Sequence, residues 1–299
     1  MNVSLLKKVI PFVLLAALVL ALVCYPHTAK AETTQPVVIS VWNVDTFEGG
    51  RGSRTSFLKL VAQRAEAGQE NVFYHVISYT AEGLQEAFSR GETPDILSFG
   101  VGVGQVDAVP LGRTFARSDL AVPWCRGAYY LFSLADDLPE SGTPSDSVVL
   151  SSGGENLVEA SAYFAGIEGK TEESLTAYLD FLGGKYDYLL GTQRDVCRFS
   201  SRGVTVYSKL LPSYCDLYQY VSILSREYAD ACLEFVALLL SEDVQATLSE
   251  IGMYPAQDAQ GRTVGAFLTS QDLSERVERL HTGTAERELD MLFPAVSQP

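Results

Sequence analysis

Residues 37–44 read VVISVWNV, a run of apolar and β-branched side chains that predicts a buried strand. A helical pattern follows at residues 57–65, where apolar side chains recur on one stripe. Residues 72–78 and 96–99 repeat the strand pattern, with a short helix capped by Thr80 between them. Strand, helix, strand, helix, strand at this spacing predicts a parallel sheet with crossover helices.

Two loops are expected at the ligand-binding edge of that sheet. In open α/β sheets, ligands bind outside the carboxyl ends of the strands. Residues 45–54 follow the first strand, and residues 100–105 (GVGVGQ) follow the third. The second loop lacks the spacing of a dinucleotide-binding motif, so we interpret it as a tight loop beside a ligand.

The middle of the chain is less regular. Residues 120–132 predict two extended segments around Arg126, and residues 136–154 are rich in Ser, Gly, Pro and Asp, which predicts a loop. Thr171 is placed to cap a helix, and residues 204–210 predict a further strand. The apolar face of the helix after Thr171 is expected to consist of Leu175, Tyr178, Leu179 and Leu182.

Two helices are expected late in the chain. Residues 232–239 carry apolar side chains at i, i+3, i+4 and i+7, and Ser241 is placed to cap the next helix. Gly252 ends that helix and Pro255 follows it. A terminal helical stretch is predicted over residues 273–292.

The first residues have the layout of a secretory signal peptide. Lys7 and Lys8 precede an apolar run over residues 9–23, and residues 29–31 (AKA) form a small-x-small cleavage signal. An uncleaved membrane anchor is the alternative, although the run is short for a spanning helix, which needs about 20 residues. Cys24 follows a bulky valine, which disfavours a lipid-modified cysteine.

The composition is that of a globular, strongly acidic protein. The 299 residues are 47% hydrophobic and carry a formal net charge of −15. Without residues 1–31 the chain has 19 basic and 37 acidic residues. Such a surface repels nucleic acid and anionic lipid headgroups, so neither is expected as a partner.

Cysteine and histidine usage predicts neither a metal site nor a cofactor. Four cysteines follow the predicted signal, and their spacing matches no metal-binding motif. Single buried thiols are favoured, and one disulfide among them is the alternative. The four residues are Cys125, Cys197, Cys215 and Cys232.

The order of the segments resembles the extracellular solute-binding proteins of ABC transporters, of the sugar-receptor type. Residues 93–96 (TPDI) resemble the family's turn into a strand of the first lobe. Residues 121–124 with 129–132 resemble the strand pair that crosses between lobes. Residues 228–255, a helix followed by LLSEDVQATLSEIGMYP, resemble the late helical segment.

This resemblance implies an α/β fold of two lobes, each a sheet flanked by helices, joined by a hinge as in periplasmic-binding-protein-like type II proteins. It implies that residues 32–120 and 216–257 form lobe 1, and that residues 121–215 and 258–299 form a reduced lobe 2. The chain is expected to act as a monomer that closes on a small solute, with a sugar the expected class, and to meet an ABC-transporter permease in the membrane.

Side chains suited to a sugar lie in three groups. Planar rings can stack on sugar faces, while acids and Arg bind hydroxyl groups with charge-assisted hydrogen bonds. The groups are Trp42, Asp45, Thr46, Glu48 and Arg51 after the first strand; Trp124, Arg126 and Tyr129 at the crossing; and Gln193, Arg194 and Asp195 after Tyr188-Leu189-Leu190. Core packing for Trp42, helix capping for Asp45 and Glu48, and an Arg194–Asp195 pair are the structural alternatives.

Enzyme motifs are incomplete. Ser56 and Lys59 match S-x-x-K, but the partner motifs of penicillin-recognising enzymes are absent. With two histidines after the predicted signal, a catalytic triad has few options. We therefore expect an exported, non-catalytic binding protein, periplasmic or at the cell surface; a secreted glycosidase-like hydrolase and a sensory binding subunit are the alternatives.

Overall fold

The computed structural model describes residues 35–100, 103, 107–112, 120–139, 145–154, 156–211 and 217–256. The predicted signal segment, Cys215 and the predicted terminal helical stretch lie outside these residues. Met1–Pro36 and Val37–Pro299 are two compact units, and all that follows concerns the second.

Eleven strands occur in the described part of this unit: β1 (Val37–Val44), β2 (Val72–Tyr79), β3 (Ile96–Phe99), β4 (Val122–Arg126), β5 (Tyr129–Ser133), β6 (Val148–Ser152), β7 (Lys170–Glu173), β8 (Tyr188–Thr192), β9 (Tyr207–Leu210), β10 (Tyr218–Ile223) and β11 (Tyr254–Pro255). The α-helices described there are α1 (Arg54–Gly68), α2 (Ala81–Ser89), α3 (Val158–Phe164), α4 (Ser174–Leu182), α5 (Gln193–Ser201), α6 (Ala229–Leu239) and α7 (Glu242–Ala246).

The first sheet has the strand order β11-β4-β10-β3-β1-β2. Its strands β1, β2 and β3 are parallel, as their spacing in the sequence predicts. Ser53 and Thr80 cap the two crossover helices by accepting backbone N–H bonds from Ser56 and Gly83. The predicted strand–helix–strand–helix–strand unit is therefore confirmed.

The second sheet has the order β7-β6-β8-β5-β9, with β6 parallel to both β7 and β8. The second sheet differs from the sequence prediction at β6 and β7. Residues 148–152, predicted to be loop, form β6, because its Val-Val-Leu run packs into the core. Thr171 lies in β7, and Glu173 caps α4 instead.

The inner face of α4 also differs from the prediction. Leu175 and Leu179 are 51% and 54% exposed, whereas Ala177 and Phe181 are fully buried beside Tyr178. The buried stripe is Ser174, Ala177, Tyr178 and Phe181, which has the same helical spacing as the predicted stripe but is displaced by one residue. In α6, by contrast, the predicted stripe of Cys232, Phe235, Val236 and Leu239 is buried.

The chain passes between the sheets at two neighbouring points. It leaves the first sheet after Arg126, later than the predicted lobe boundary at residue 120, because β4 pairs with β10 in that sheet. It is back in the first sheet at Tyr218. Gly127 N donates to Leu217 O at 2.8 Å, so the outgoing and returning segments are bonded to each other.

Among the described residues, no helix is both long enough and apolar enough to cross a membrane.

Candidate functional site

A cavity of about 630 Å³ opens at the carboxyl ends of β6 and β7 and the starts of α4 and α5. This is the edge where open α/β sheets bind ligands. We call the first sheet with its helices the first lobe, and the second sheet with its helices the second lobe. The cavity lining is mostly polar and comes almost entirely from the second lobe; among the lining residues Glu48 alone comes from the first. The lining residues are Glu48, Ser152, Gly153, Gly154, Thr171, Glu172, Glu173, Ser174, Leu175, Arg194 and Arg198.

Glu48 reaches from the loop after β1 into the second lobe. Its Oε1 forms an ion pair with Arg194 Nη1 and accepts a hydrogen bond from Ser174 Oγ at 3.2 Å. The carboxylate also lies against Gly153, where an added Cβ atom would clash with Oε1. A larger residue at position 153 would therefore require the Glu48 side chain to shift.

Two further contacts join the lobes beside Glu48. Gln193 accepts a hydrogen bond from Ala128 N at 3.1 Å and donates one to Glu48 O at 3.2 Å. Phe47 and Gly154 form an isolated antiparallel β-bridge. The lobes are thus in direct contact along one side of the cavity.

The loop that carries Glu48 is fastened to its own lobe at both ends. Buried Arg54 donates a hydrogen bond to Phe47 O, and its Nε lies 2.7 Å from Asp45 Oδ1. Arg51 N donates to Ile251 O at 2.9 Å. These bonds fix both ends of the loop to the first lobe.

The other charged groups of the cavity have partners within the second lobe. Arg198 lies 3.2 Å from Asp195 and above the ring of Tyr178. Glu172 accepts hydrogen bonds from Lys170 at 2.8 Å and from Tyr186 at 3.0 Å. Glu173 accepts backbone bonds from the first turn of α4.

Burial perturbs the two charged residues at the start of α5. Burial, together with the charge of Arg198, lowers the pKa of Arg194. Burial also raises the pKa of Asp195, although the Thr192 backbone bond and Arg198 oppose the shift. Asp195 is therefore poorly solvated, whereas Arg194 is partly buried, with 35% of its side chain exposed.

Three predicted ring residues lie in the core and not in the cavity. Trp124 is fully buried, stacks on Phe57 and donates its Nε1–H to Ser98 Oγ at 3.1 Å. Trp42 is 6% exposed and packs against Tyr79 and Phe88. Tyr129 is 3% exposed and accepts a hydrogen bond from Leu157 N. None of the three rings offers a face to a ligand in this conformation.

The remaining predicted residues divide between the cavity and its surroundings. Glu48, Gln193 and Arg194 come together where the lobes meet, and Asp195 completes the capping box of α5 with Thr192. The others lie elsewhere: Asp45 beside Arg54, Thr46 buried near Gly100, Arg51 exposed at the loop's end, and Arg126 beside Tyr254 and Pro255.

Sequence reasoning missed the second-lobe half of the cavity. Ser174 and Gly153 contact Glu48 and Arg198 pairs with Asp195, yet the sequence analysis predicted none of the three as site residues. One signal could have indicated this half of the cavity. The apolar run at residues 148–150 is followed closely by the glycine pair at 153–154, which is typical of a strand that ends in a loop, as the first strand does after residue 44.

Cys125, Cys197 and Cys232 are free thiols, and Cys215 lies outside the described residues. Cys125 and Cys232 are buried, as favoured from the sequence, whereas Cys197 is only partly buried. Within the same residues no group of three or more His, Cys, Asp or Glu side chains is placed to hold a metal ion.

No protein-family model matches this sequence, and no curated protein is similar to it. Solved structures are similar in fold. Iron-bound HitA from Pseudomonas aeruginosa is 16% identical with a TM-score of 0.53, over 85% of this chain and 99% of that one. The GacH receptor of Streptomyces glaucescens, solved unliganded and with acarbose, is 15% identical with a TM-score of 0.50, over 88% of each chain.

At this identity the similarity establishes architecture and nothing finer. The two similarities cover 85% and 88% of this chain, which contains two sheets flanked by helices. The chain therefore has the two-lobe α/β fold of periplasmic-binding-protein-like proteins.

Proposed function

We propose that this protein is a non-catalytic solute-binding protein that holds a small polar solute between its two lobes. One observation carries the proposal: a cavity of about 630 Å³ lies at the carboxyl ends of the second sheet's parallel strands, and Glu48 of the first lobe completes its wall. Cavities of about 300–1,000 Å³ suit small ligands. A solute there contacts both lobes, so it stabilises the closed arrangement.

The lining favours a solute that is recognised by hydrogen bonds and charge. The described lining residues include carboxylates, guanidinium groups and hydroxyls but no aromatic ring. The sugar predicted from the sequence would bind through its hydroxyl groups alone here, without the ring stacking that Trp124 was expected to supply. We keep carbohydrate as one class to test beside charged solutes.

The proposed partner rests on the resemblance to solute-binding proteins, and the proposed location rests on the predicted export signal. The proposed role is uptake, in which an ABC-transporter permease recognises the closed, loaded form in the membrane. The acidic surface, with a formal net charge of −15 for the chain, suits a soluble receptor outside the cytoplasm. A periplasmic or cell-surface location is therefore part of the proposal.

The cavity acids support binding over hydrolysis. A glycosidase needs a carboxylic acid whose pKa is raised enough to protonate a leaving group. The hydrogen bond from Lys170 lowers the pKa of Glu172 to about 2, and Glu173 is committed to capping α4. Neither group is set up as a general acid.

A calorimetric titration of the purified protein tests the proposal. Neutral sugars, carboxylates, inorganic anions and amino acids are titrated in turn, and small-angle scattering follows the lobes. At least one class is expected to bind with a dissociation constant below about 100 μM, which corresponds to roughly 5 kcal/mol or more of binding free energy. If every class fails at millimolar concentration, or a solute is hydrolysed during the titration, the proposal is wrong.

A further inference from the structure

Glu48 occupies a site built for a carboxylate. Three second-lobe groups converge on it: the Arg194 guanidinium, the Ser174 hydroxyl and the bare Cα of Gly153. We call these three residues the carboxylate site. A cation, a hydroxyl donor and a position without a side chain together form a close-fitting recess for a planar anionic group.

The helix geometry adds to the preference for negative charge. Ser174 is the first residue of α4 and Arg194 the second residue of α5, so both helices begin at the carboxylate site. Each helix has nine residues, and the N-terminus of a helix carries a partial positive charge. The occupant that the structure shows there is itself a carboxylate, 14% exposed, from the opposite lobe.

The charged groups of the cavity show why the occupant matters. Among the described lining residues, Arg198 pairs with Asp195, Glu172 lies near Lys170 and Lys185, and Glu173 accepts backbone N–H bonds from the start of α4. The ion-pair partner described for Arg194 is Glu48. A solute that entered and displaced Glu48 would leave Arg194 without that counter-charge unless the solute carried one, and a partly buried guanidinium gains more from a counter-charge than a fully exposed one.

We propose that the solute bears a carboxylate, and that the Glu48 carboxylate occupies the carboxylate site when no solute is bound. This inference rests on the proposed function. Glu48 then has two effects. It keeps the empty lobes together, and it competes with the solute for Arg194. A neutral solute of the same size binds weakly, because it cannot replace Glu48 on the guanidinium.

Glutarate and its uncharged counterpart glutaramide are a matched pair of probes, since they share a skeleton and differ in charge. We expect glutarate to bind Glu48→Ala at least about tenfold more tightly than the unmodified protein, because its competitor has been removed. Glutaramide should bind neither protein measurably. Arg194→Gln in the Glu48→Ala background should abolish the gain.

Two variants control for trivial effects. Glu70→Gln removes one exposed acid from the first lobe, far along the chain from the cavity, and should leave glutarate binding unchanged. Glu48→Gln keeps the side-chain size and should retain much of the gain if Glu48→Ala proves poorly folded. Scattering of the empty proteins gives an independent readout: both Glu48 variants should be more extended than the unmodified protein, and Glu70→Gln should not be.

The outcomes separate this inference from the proposed function. If a neutral sugar binds tightly while both Glu48 substitutions leave glutarate affinity and the scattering unchanged, the carboxylate inference is overturned and the solute-binding function stands. Equal binding of glutarate and glutaramide overturns it as well. If no solute of any class binds any variant, both proposals fail together.

Discussion

At the scale of single residues, the interior of the first lobe depends on one hydroxyl group. Ser98 is fully buried, donates to Asn43 Oδ1 at 2.8 Å, and accepts from Trp124 Nε1 at 3.1 Å and Gln219 Nε2 at 3.0 Å. Removing it takes away the described partner of the buried Trp124 Nε1–H, whereas Asn43 Oδ1 and Gln219 Nε2 remain bonded to each other and Gln219 Nε2 also to Val44 O. Trp124 is therefore held in the core by a hydrogen bond as well as by stacking, which explains why it is not available to a ligand.

The Ser98→Ala variant should lower the free energy of unfolding by about 1–3 kcal/mol, the usual cost of leaving buried polar groups unsatisfied. Urea unfolding followed by tryptophan fluorescence measures it. Ser89→Ala is the matched control, because Ser89 is exposed and bonds only to Glu86 O of its own helix. A change within about 0.5 kcal/mol is expected for the control. Equal effects from the two substitutions would contradict the network's role.

Burial also decides which thiols can react. Desolvation raises the pKa of Cys232 to about 12 and raises the pKa of the fully buried Cys125 further still. Because the thiolate is the reactive form, iodoacetamide at pH 8 should leave both unmodified in the folded protein. Peptide mass spectrometry measures this, with guanidinium-unfolded protein as the control in which both are labelled. Labelling at the same rate in the folded protein would show that these sites open readily.

At the scale of elements, two N-caps of similar chemistry allow stability and binding to be separated. Thr192 caps α5 at the cavity, accepting from Arg194 N at 3.3 Å; Thr80 caps α2 in the first lobe, accepting from Gly83 N at 3.1 Å. Each change to Ala should cost about 1 kcal/mol of unfolding free energy. Only Thr192→Ala should also weaken glutarate binding in the Glu48→Ala background, since it loosens the start of the helix that carries Arg194. Calorimetry and thermal unfolding check the two effects separately.

The β7 edge gives a pH-dependent stability with a definite sign. Hydrogen bonds from Lys170 and Tyr186 lower the pKa of Glu172 to about 2, below its value of about 4.3 in an unfolded chain. A depressed carboxyl pKa stabilises the fold above the unfolded value and loses that contribution as the pH falls toward the folded one. The melting temperature of Glu172→Gln should therefore fall below that of the unmodified protein at pH 7, and the gap should close between pH 5 and pH 2. A gap that widens on acidification would contradict this account.

At the scale of the whole molecule, the first lobe could be predicted from the sequence and the cavity could not. The apolar run of β1 and the cap at Thr80 are local signals, and the structure reproduces them. β7 reads Lys-Thr-Glu-Glu, an edge strand without an apolar pattern, so nothing local distinguishes it from a helix cap. The meeting of Glu48 with Arg194 joins residues that are far apart in sequence and depends on how the lobes close. The residue types indicated both Glu48 and Arg194 as candidate site residues, but the sequence did not predict that they pair.

Tertiary contacts also explain why the aromatic residues predicted to bind a ligand lie in the core. An aromatic residue at a strand end suits a ligand platform and a core position equally well by composition. For Trp124 the deciding partner is Phe57, on a helix of the same lobe, and for Trp42 it is Tyr79 on the adjacent strand. These are tertiary contacts, which residue type alone does not encode.

The bonds that fix the Glu48 loop to the first lobe should limit the observed association rate of a solute. Because Arg51 is bonded to Ile251 and Arg54 is bonded to Phe47, the backbone that carries Glu48 is fixed to the first lobe. We expect the Glu48 carboxylate to leave Arg194 when the two halves of the molecule part, and the rate of that parting is a property of the empty protein. In stopped-flow experiments with a Leu175→Trp reporter, the observed association rate should level off as the glutarate concentration rises, and the plateau should vanish once Glu48 is replaced by Ala.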